Sequence, residues 1–320
     1  MEKIHLSQGA GGEEMNELVM KIIDKINIKS DWVLGGDSAH INIGSDNLFF
    51  TSDSYTVDPI FFNGGDIGKI AFCGTVNDIL MSGGKPLGVS LSFVIEEGFE
   101  HLSKIIDSLK KESLKYNIPI VTGDTKVVEK GSLKGIIINT SGIGIGKPFN
   151  KEIVEGDSVI VSRNIGNHGV ALLASRYDFE TDIETDSKQL VEEVDSIRNY
   201  VKLAKDATRG GIAAVLNEIS EKINIGMELI EEKIPIDKKV KKMCEILGVN
   251  IYELANEGTM IVIVSKDDEE KTLDELKKFN QTVSVMGTIS KTEKNRVIIK
   301  TKIGRKVLRI PTGNIVPRIC

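Results

Sequence analysis

No other part of this 320-residue chain constrains its structure as much as residues 50–83, FTSDSYTVDPIFFNGGDIGKIAFCGTVNDILMSG. The stretch begins in an apolar run, residues 48–52, whose pattern predicts a β-strand, and Asp53 directly follows that run. Its last part, IAFCGTVNDILMSG at 70–83, consists of apolar and small residues apart from Asn77 and Asp78. A buried charge at Asp78 needs a partner, and α/β proteins usually present ligand groups where a strand ends, as at Asp53. The stretch therefore predicts an apolar core segment that leads to a polar site.

The rest of the chain mixes helix and strand patterns. Ser90 and Ser92 alternate with apolar neighbours, which predicts a strand with one buried and one wetter face. Apolar residues at i, i+3 and i+4 predict helices within 15–26, 102–109 and 212–223. Short apolar runs predict strands at 48–52, 89–95, 118–122, 136–139, 159–162, 260–265 and 297–300. The fold class predicted is α+β, in the sense of a mixed α/β protein.

The length indicates two domains, at ~150 residues per domain. Residues 146–156, GKPFNKEIVEG, are polar and contain Gly and Pro, which predicts a domain boundary. We expect domains at 1–150 and 151–305. Pro311, Gly313 and Pro317 exclude an extended helix at the end, so residues 306–320 are predicted to be a flexible C-terminal tail.

The composition narrows the class of protein. With 40% hydrophobic and 28% charged residues, the chain is an ordinary globular protein rather than a disordered one. A net charge of −6 argues against nucleic acid as a partner, and uncharged stretches such as 135–146 are too short to cross a membrane. Three cysteines do not make a disulfide framework, which favours a reducing, cytoplasmic location.

Acidic residues beside Gly, Ser, Thr or Asn recur at predicted element ends. Each alone is typical of a helix cap or a turn. As a set, with little histidine or thiol nearby, they favour Mg²⁺ bound through oxygen together with phosphate. The set comprises Asp37, Asp53, Asp78, Asp124, Asp206 and Glu257.

Standard nucleotide-binding fingerprints are absent from the sequence. Residues 64–70 are similar to a P-loop, but Asn63 and Ile70 stand where that motif needs Gly and Ser or Thr. The G-x-G-x-G at 142–146 lacks the Rossmann spacing and favours a strand packed closely against backbone. The glycines at 9–12, Gly11 among them, precede the first helix and are a candidate phosphate cradle.

Histidine and cysteine add two candidates. The four histidines lack a zinc-site spacing; His168, in a glycine-rich turn, is either an active-site residue or a solvated turn histidine. Cys73 and Cys244 lie in apolar patterns and are predicted to be buried. Cys320 is the last residue, and a tail from 310 to 320 can span up to ~33 Å, so its thiol could reach a distant site.

Nine stretches, in order along nearly the whole chain, match one known family: QGAGGEEM (8–15), residues 50–83, FVIEEG (93–98), IPIVTGDTKVVEKG (118–131), IGNHG (165–169), KDATRGGIAAVLNEI (205–219), IPI (234–236), ANEG (255–258) and the terminal PRIC (317–320). With them the chain resembles the HypE family of hydrogenase maturation factors, which belongs to the PurM-like, or aminoimidazole ribonucleotide synthetase-like, ATP-binding superfamily. The family usually has Asp where Asn167 stands, and residues 35–40 lack the doubled acid that is common in the superfamily.

The resemblance implies a PurM-like architecture of two domains, each a mixed sheet packed with helices, and a homodimer in which the N-terminal domains join sheets. It implies that a HypF-like carbamoyltransferase carbamoylates the Cys320 thiol. The protein would then use ATP and Mg²⁺ to dehydrate the S-carboxamide to an S-cyanide. A HypC–HypD-like iron scaffold would receive the cyanide for [NiFe]-hydrogenase.

This chemistry assigns hypothetical roles to the candidate residues. Lys126 is expected to stabilise the amide oxygen and γ-phosphate, and Glu257 to act as general base, with His168 second. The expected metal ligands are Asp37, Asp53, Asp78, Asp124 and Asp206. The expected nucleotide-binding residues are Gly11, Asp53, Lys69, Asn77, Asp78, Asp124, Thr125, Asp206 and Arg209.

Structural roles for these residues, and other functions for the protein, stay open at this point. Lys126 and Glu257 could form a structural salt bridge, and Asp206 could cap the helix that begins near Gly210. The whole protein could be a selenophosphate-synthetase-like or thiamin-phosphate-kinase-like enzyme, although Gly9–Gly12 has no reactive cysteine beside it. It could also be a non-catalytic scaffold whose C-terminal peptide docks a partner.

Overall fold

The structure, a computed structural model, describes residues 4–9, 12–26, 30–34 and 36–312. The first half forms a five-stranded sheet in the order β1-β2-β7-β5-β6, antiparallel except for the pair β5–β6. Its elements are α1 (Glu13–Ile26), β1 (Ala39–Asn42), β2 (Asn47–Tyr55), β3 (Phe61–Phe62), β4 (Gly65–Asp66), α2 (Ile67–Met81), β5 (Gly84–Glu96), α3 (Leu102–Lys115), β6 (Ile120–Val128) and β7 (Ile136–Gly146).

The second half forms a seven-stranded sheet in the order β14-β13-β10-β12-β8-β11-β9, antiparallel except for β10–β13. Its central strands are buried on both faces, as all of β11 shows. Its elements are β8 (Ser158–Val161), α4 (Asn167–Arg176), α5 (Val191–Ile197), β9 (Val201–Asp206), α6 (Gly211–Ile223), β10 (Gly226–Ile230), α7 (Lys238–Leu247), β11 (Met260–Val264), α8 (Glu269–Lys277), β12 (Ser284–Ser290), β13 (Val297–Thr301) and β14 (Gly304–Leu308).

Helix α2 is the centre of the molecule. It is apolar on almost every side because it packs against β2, β5, β7 and α3 of its own half and against β9 and α5 of the other half. Ile67, Phe72 and Leu80 of α2 share one core cluster with Leu172 and Met260 of the second half. The stretch that dominates the sequence thus becomes the helix that joins the two sheets.

The N-terminus of α2 explains why residues 64–70 do not form a P-loop. The side chain of Asp66 caps this helix, because its Oδ1 accepts hydrogen bonds from the amides of Gly68 at 2.7 Å and Lys69 at 3.0 Å. A carboxylate therefore occupies the amides at the helix end where a P-loop would bind phosphate.

One face of the first sheet is covered by α2 and α3, and the other is open in the described residues. Val89 and Leu91 are buried, whereas Ser90 and Ser92 remain partly exposed, which confirms the two faces predicted for this strand. The open face is hydroxyl-rich because polar residues stand opposite one another on β2, β7 and β5: Ser52, Ser141 and Ser90 in one row, and Ser54, Asn139 and Ser92 in the next.

The fold class predicted from the sequence is confirmed, with helices at 15–26, 102–109 and 212–223 and strands at each predicted run. Strand β2 continues through Asp53, and β6 continues through Asp124, so these aspartates lie within strands rather than after them. Strand β14 ends at Leu308, inside the segment predicted as tail. Within the described part of the chain, no helix is long and apolar enough to cross a membrane.

Candidate active site

Four acidic residues from distant parts of the sequence meet between the two halves. Asp53 comes from β2, Asp78 from α2, Asp206 from the end of β9 and Glu257 from the turn that precedes β11. They line a cavity of about 40 Å³. The residues that complete its lining are Ser54, Tyr55, Gly74, Thr208 and Arg209.

Hydroxyl groups hold the two carboxylates of the first half. Thr51 donates to Oδ2 of Asp78 at 2.6 Å, and Thr75 donates to Oδ2 of Asp53 at 3.2 Å. Thr75 and Asp78 are three residues apart on α2 and so lie on the same side of that helix. Both carboxylates are therefore fixed by the packing of α2 on β2.

Gly74 leaves room for the phenol ring of Tyr55 in the wall of the cavity. A Cβ atom at this position would lie 2.2 Å from the hydroxyl oxygen of Tyr55. The absence of a side chain on α2 therefore allows the buried Tyr55 to lie against the helix, two residues from Asp53 on the same side of β2.

The turn that contains Glu257 is anchored by its neighbour Asn256. The side chain of Asn256 accepts a hydrogen bond from the amide of Gly166 at 2.7 Å and donates to the carbonyl of Ala207 at 3.0 Å. Because Ala207 directly follows Asp206, this fully buried asparagine fixes Glu257 beside the end of β9.

Burial raises the pKa values of the clustered acids. For Asp78, Asp206 and Glu257 the pKa lies well above its ordinary value, first because burial disfavours the charged form and then because neighbouring carboxylates repel one another. The pKa of Asp53 is raised for the same first reason. Arg209 is the one cationic side chain among the described residues that line the cavity, so the site has more acid than base.

Asp37 lies beside this cluster and joins it to the second half. Its Oδ1 is 2.9 Å from Nζ of Lys205, which also contacts Glu218 at 3.1 Å. Burial raises the pKa of Asp37, while Lys205 opposes that shift. The pKa of Lys205 is in turn raised by the two carboxylates, whose attraction exceeds the effect of its burial.

The donor set fits Mg²⁺. Every candidate ligand is an oxygen, and two buried oxygens, Oε1 of Glu257 and Oδ2 of Asp37, have no hydrogen-bond partner among the residues that the structure describes. Among the described residues, no group of three His, Cys, Asp or Glu is arranged to hold a metal ion by itself. Mg²⁺ usually takes one or two carboxylates and fills its other positions with water and phosphate, and Asp53, Asp78 and Asp206 provide such carboxylates.

Two purely structural interpretations that the sequence left open, a helix cap by Asp206 and a salt bridge between Lys126 and Glu257, are wrong. The N-cap of α6 is Gly210, while Asp206 ends β9 and lines the cavity, so Asp206 does not cap that helix. Lys126 is exposed on β6 and Glu257 is buried in the cavity, and no salt bridge joins them within the described residues.

Asp124, Thr125 and Lys126 are not brought to this cavity. They lie on β6, an edge strand that is exposed along nearly its whole length. Asp124 stands in one row with Ser92, Asn139 and Ser54, the last of which lines the cavity. Three strand spacings, ~14 Å in all, therefore separate Asp124 from that wall.

Lys69, Asn77 and His168 lie outside the cavity lining as well. Nζ of Lys69 donates to the carbonyl of Gly64 at 2.9 Å, and Asn77 bonds the backbone of Lys188 and Leu190. His168 is fully buried in the first turn of α4, so the solvated-turn alternative is wrong. Gly11 and Cys320 lie outside the described residues.

The described root of the tail passes close to the site. Gly12 is buried with a φ of +89°, and a Cβ atom there would lie 2.3 Å from the carbonyl oxygen of Pro311. Pro311 also faces Gly210, where a Cβ would lie 3.7 Å from its Cγ. The root is therefore held between the start of α1 and the residue that follows Arg209.

Sequence reasoning missed three residues that shape the site. Tyr55 carried a signal, because it lies two residues after Asp53 on one strand and must share its face. Lys205 precedes Asp206, but its partner Asp37 is far away in the sequence. Asp186 binds the turn of Glu257 through three hydrogen bonds, from within an irregular segment that has no pattern.

The fold and the acidic cavity define the class of protein. Residues 35–146 match the family described as AIR synthase related protein, N-terminal domain, and residues 154–300 match its C-terminal domain. The chain is thus an AIR synthase-related, PurM-like protein in both of its halves.

Relatives that match 99% of this chain identify a narrower family within this class. A putative hydrogenase expression/formation protein of Methanocaldococcus jannaschii is 44% identical, covering 99% of this chain and 100% of the relative. The carbamoyl dehydratase HypE of Rhizobium leguminosarum bv. viciae is 37% identical, covering 99% and 95%.

Solved structures agree with these relatives. HypE in a HypE–HypF complex superposes with a TM-score of 0.84 at 36% identity, covering 92% of this chain and 99% of that one. HypE in complex with ATP gives a TM-score of 0.82 at 31% identity, covering 99% and 100%. The chain belongs to the HypE family of carbamoyl dehydratases, enzymes of hydrogenase maturation.

Proposed function

We propose that this protein dehydrates an S-carboxamide carried on its own Cys320 to an S-cyanide, with ATP as the co-substrate. The observation that supports this most directly is the buried cavity of Asp53, Asp78, Asp206 and Glu257 between the two halves. An acid-rich site of this kind suits Mg²⁺ and phosphate, and the ATP complex of a related HypE supports the same ligand.

The chemistry requires ATP because the oxygen of a carboxamide is a very poor leaving group. The carbamoyl oxygen attacks the γ-phosphorus, the bond to ADP breaks, the nitrogen loses one of its two protons, and an O-phosphorylated imidate forms on sulfur. Loss of the remaining N–H proton then forms the C≡N bond as the C–O bond breaks. The oxygen leaves as part of inorganic phosphate, and ADP is the other product.

The carboxylates of the cavity supply the metal-binding half of the site. Asp53, Asp78 and Asp206, with Asp37 beside them, would hold Mg²⁺. When bound, Mg²⁺ neutralises the triphosphate and the charge that develops during transfer. Arg209 lies on the cavity wall and supplies positive charge at the same place.

Glu257 is the proposed general base. Its carboxylate is buried, its Oε1 has no hydrogen-bond partner within the described part of the chain, and its raised pKa makes it a stronger base than an exposed glutamate. These properties suit a group that takes the amide proton. His168 instead has Nδ1 2.8 Å from the Thr185 hydroxyl, so we retain it only as the second candidate.

The open edge of β6 supports a homodimer. Val121 and Val127 are 56% and 64% exposed on this strand, and an uncovered strand edge pairs readily with another chain. We propose that two first-half sheets join along β6. Asp124, Thr125 and Lys126 would then act between two copies, with Lys126 as the cation for the γ-phosphate.

The position of the tail root supports delivery of Cys320 to the cavity. From Thr312 the remaining residues can span ~26 Å, and Pro311 already lies beside the residue that follows Arg209. The same tail must also be presented to partners, so we propose an inward position with ATP and an outward position during transfer.

The partners follow from the substrate. We propose that a HypF-like carbamoyltransferase loads Cys320, which the HypE–HypF complex of a relative supports, and that a HypC–HypD-like iron scaffold receives the cyanide. Because the reaction needs ATP and a reduced thiol, we propose the cytoplasm as its location.

Asp78→Ala tests this proposal against the scaffold alternative. With Cys320 carbamoylated, we expect the variant to lose ATP-dependent phosphate release, because the site loses one of the carboxylates proposed to hold Mg²⁺. Glu180→Ala, which removes an exposed acid that does not line the cavity, should retain full turnover. Wild-type turnover and partner binding by Asp78→Ala would instead support a non-catalytic scaffold.

A further inference from the structure

Residues 184–190 form an irregular segment that runs between the two halves; we call it the strap. Its first-half contacts are made by buried side chains. Asn77 of α2 donates to the carbonyl of Lys188 at 3.0 Å and accepts from the amide of Leu190 at 2.9 Å. Gln189 donates to Oε2 of Glu112 on α3 at 3.0 Å. The strap is therefore fixed to the helices of the first half.

The other side of the strap is bonded to the turn of Glu257. The carboxylate of Asp186 accepts hydrogen bonds from the amides of Glu257 at 3.0 Å and Gly258 at 3.1 Å, and from the hydroxyl of Thr259 at 2.7 Å. The amide of Lys188 returns a hydrogen bond to the carbonyl of Glu257. Asp186 therefore anchors the backbone of residues 257 and 258 from the strap, beside the anchor that Asn256 provides from within the turn.

Gly258 makes this close approach possible. A Cβ atom at position 258 would lie 2.0 Å from the carbonyl oxygen of Asp186. The close contact with the strap therefore requires a residue without a side chain directly after Glu257. Asp186 itself does not line the cavity, so it acts on the site only through the turn.

We propose that Asp186 is the positioning residue for Glu257: its carboxylate fixes the backbone of the turn so that the Glu257 carboxylate points into the acidic cavity. This inference rests on the proposed function, in which Glu257 is the base. Burial, then Asp206 and then Asp186, raise the pKa of Glu257, so the anchor also favours a stronger base.

The strap also couples the base to the metal-binding helix. Asn77, one residue before Asp78, holds the strap two and four residues after Asp186. One short segment, as well as the two sheets, thus sets the distance between the proposed base and the carboxylates proposed to hold Mg²⁺.

Asp186→Asn is the test, because it keeps the shape of the side chain but loses its charge and one acceptor. We expect the rate of water loss from carbamoylated Cys320 to fall by roughly 10- to 100-fold, the cost of misplacing a reacting group by up to an ångström. The KM for ATP should not change. Asp182→Asn, at an exposed aspartate four residues earlier that pairs with Lys239, is the matched control and should keep the wild-type rate.

The double variant Asp186→Asn with Glu257→Gln separates positioning from a structural role. If Asp186 acts through Glu257, the double variant is no slower than Glu257→Gln alone. Multiplied losses, or a full rate in Asp186→Asn, would overturn the inference while leaving the proposed function intact. A wild-type protein without Mg-ATP-dependent water loss would overturn both.

Thr259→Val serves where Asp186→Asn does not fold. It removes one of the three hydrogen bonds to Asp186 with little change of shape, and its effect should be a few-fold loss of rate that disappears in the Glu257→Gln background. An additive loss there would also overturn the inference.

Discussion

At the scale of single residues, the site is governed by the cost of gathering carboxylates away from water. Asp53, Asp78, Asp206 and Glu257 are all more acidic in water than in this cavity, because burial and mutual repulsion raise each pKa. Arg209 alone does not balance them. The cluster should therefore release protons when it binds a cation.

Mg²⁺ binding should accordingly depend on pH. Carboxylates with a raised pKa hold protons that Mg²⁺ must displace, so we expect affinity to rise with pH and binding to release protons. Isothermal calorimetry in buffers of different ionisation enthalpy measures that release. Asp206→Asn should release fewer protons, and pH-independent binding without proton release would contradict this picture.

The sequence pointed to the acidic residues of the site but not to the residues that hold them in place. The acids Asp53, Asp78, Asp206 and Glu257 were found because each stands beside small polar residues at an element end or in an apolar segment. Asp186 could not be found, since its partners lie about 70 residues away and irregular segments have no period. Roles for the individual residues stay predictions.

At the scale of elements, α2 determines the geometry of the site. The sequence predicted its apolar character but not its helical form, because a helix buried on all sides has no amphipathic period. Helices α1, α3 and α6 were predicted, since each keeps a polar face. Cys73 and Cys244 are buried as predicted.

Gly74→Ala should disturb the cavity through α2. The added methyl group would meet the hydroxyl of Tyr55 at 2.2 Å, so the phenol or the helix must shift, at about 1–3 kcal/mol of unfolding free energy. We expect reduced turnover together with a lower melting temperature. Gly304→Ala, where a Cβ atom meets nothing within 4 Å, is the control, and equal effects at both positions would refute the contact as the cause.

At the scale of the whole molecule, two sheets share a core and leave the β6 edge uncovered in the described residues. The sequence predicted strands near 118–122 but gave no sign that β6 would lie at an edge, because sheet order depends on contacts far apart in sequence. That is why Asp124 and Lys126 were expected at the site but lie on an edge strand, with Asp124 ~14 Å from the cavity wall within one chain.

Val127→Lys should break the proposed homodimer. A lysine at this exposed position of the β6 edge opposes edge-to-edge pairing, so we expect a monomer by light scattering after gel filtration, with turnover reduced. Ile246→Lys, at a residue on α7 that is 69% exposed, should leave the oligomeric state unchanged. A monomeric wild-type protein, or a Val127→Lys dimer, would contradict the role of β6.

Removing residues 318–320 should separate nucleotide binding from turnover. The cavity residues remain, so binding of Mg-ATP should persist, while product formation is lost because the substrate sulfur is gone. Equilibrium binding with a non-hydrolysable ATP analogue makes the comparison. Loss of nucleotide binding would mean that the tail is part of the structure of the site.

The most direct measurement follows the carbamoyl oxygen. The protein is carbamoylated on Cys320 with ¹⁸O in the carbonyl group, treated with Mg-ATP, and its intact mass and the released phosphate are analysed by mass spectrometry. We expect the tail to lose the mass of one labelled water and the label to appear in inorganic phosphate. An unchanged tail mass, or unlabelled phosphate, would contradict ATP-driven dehydration at Cys320.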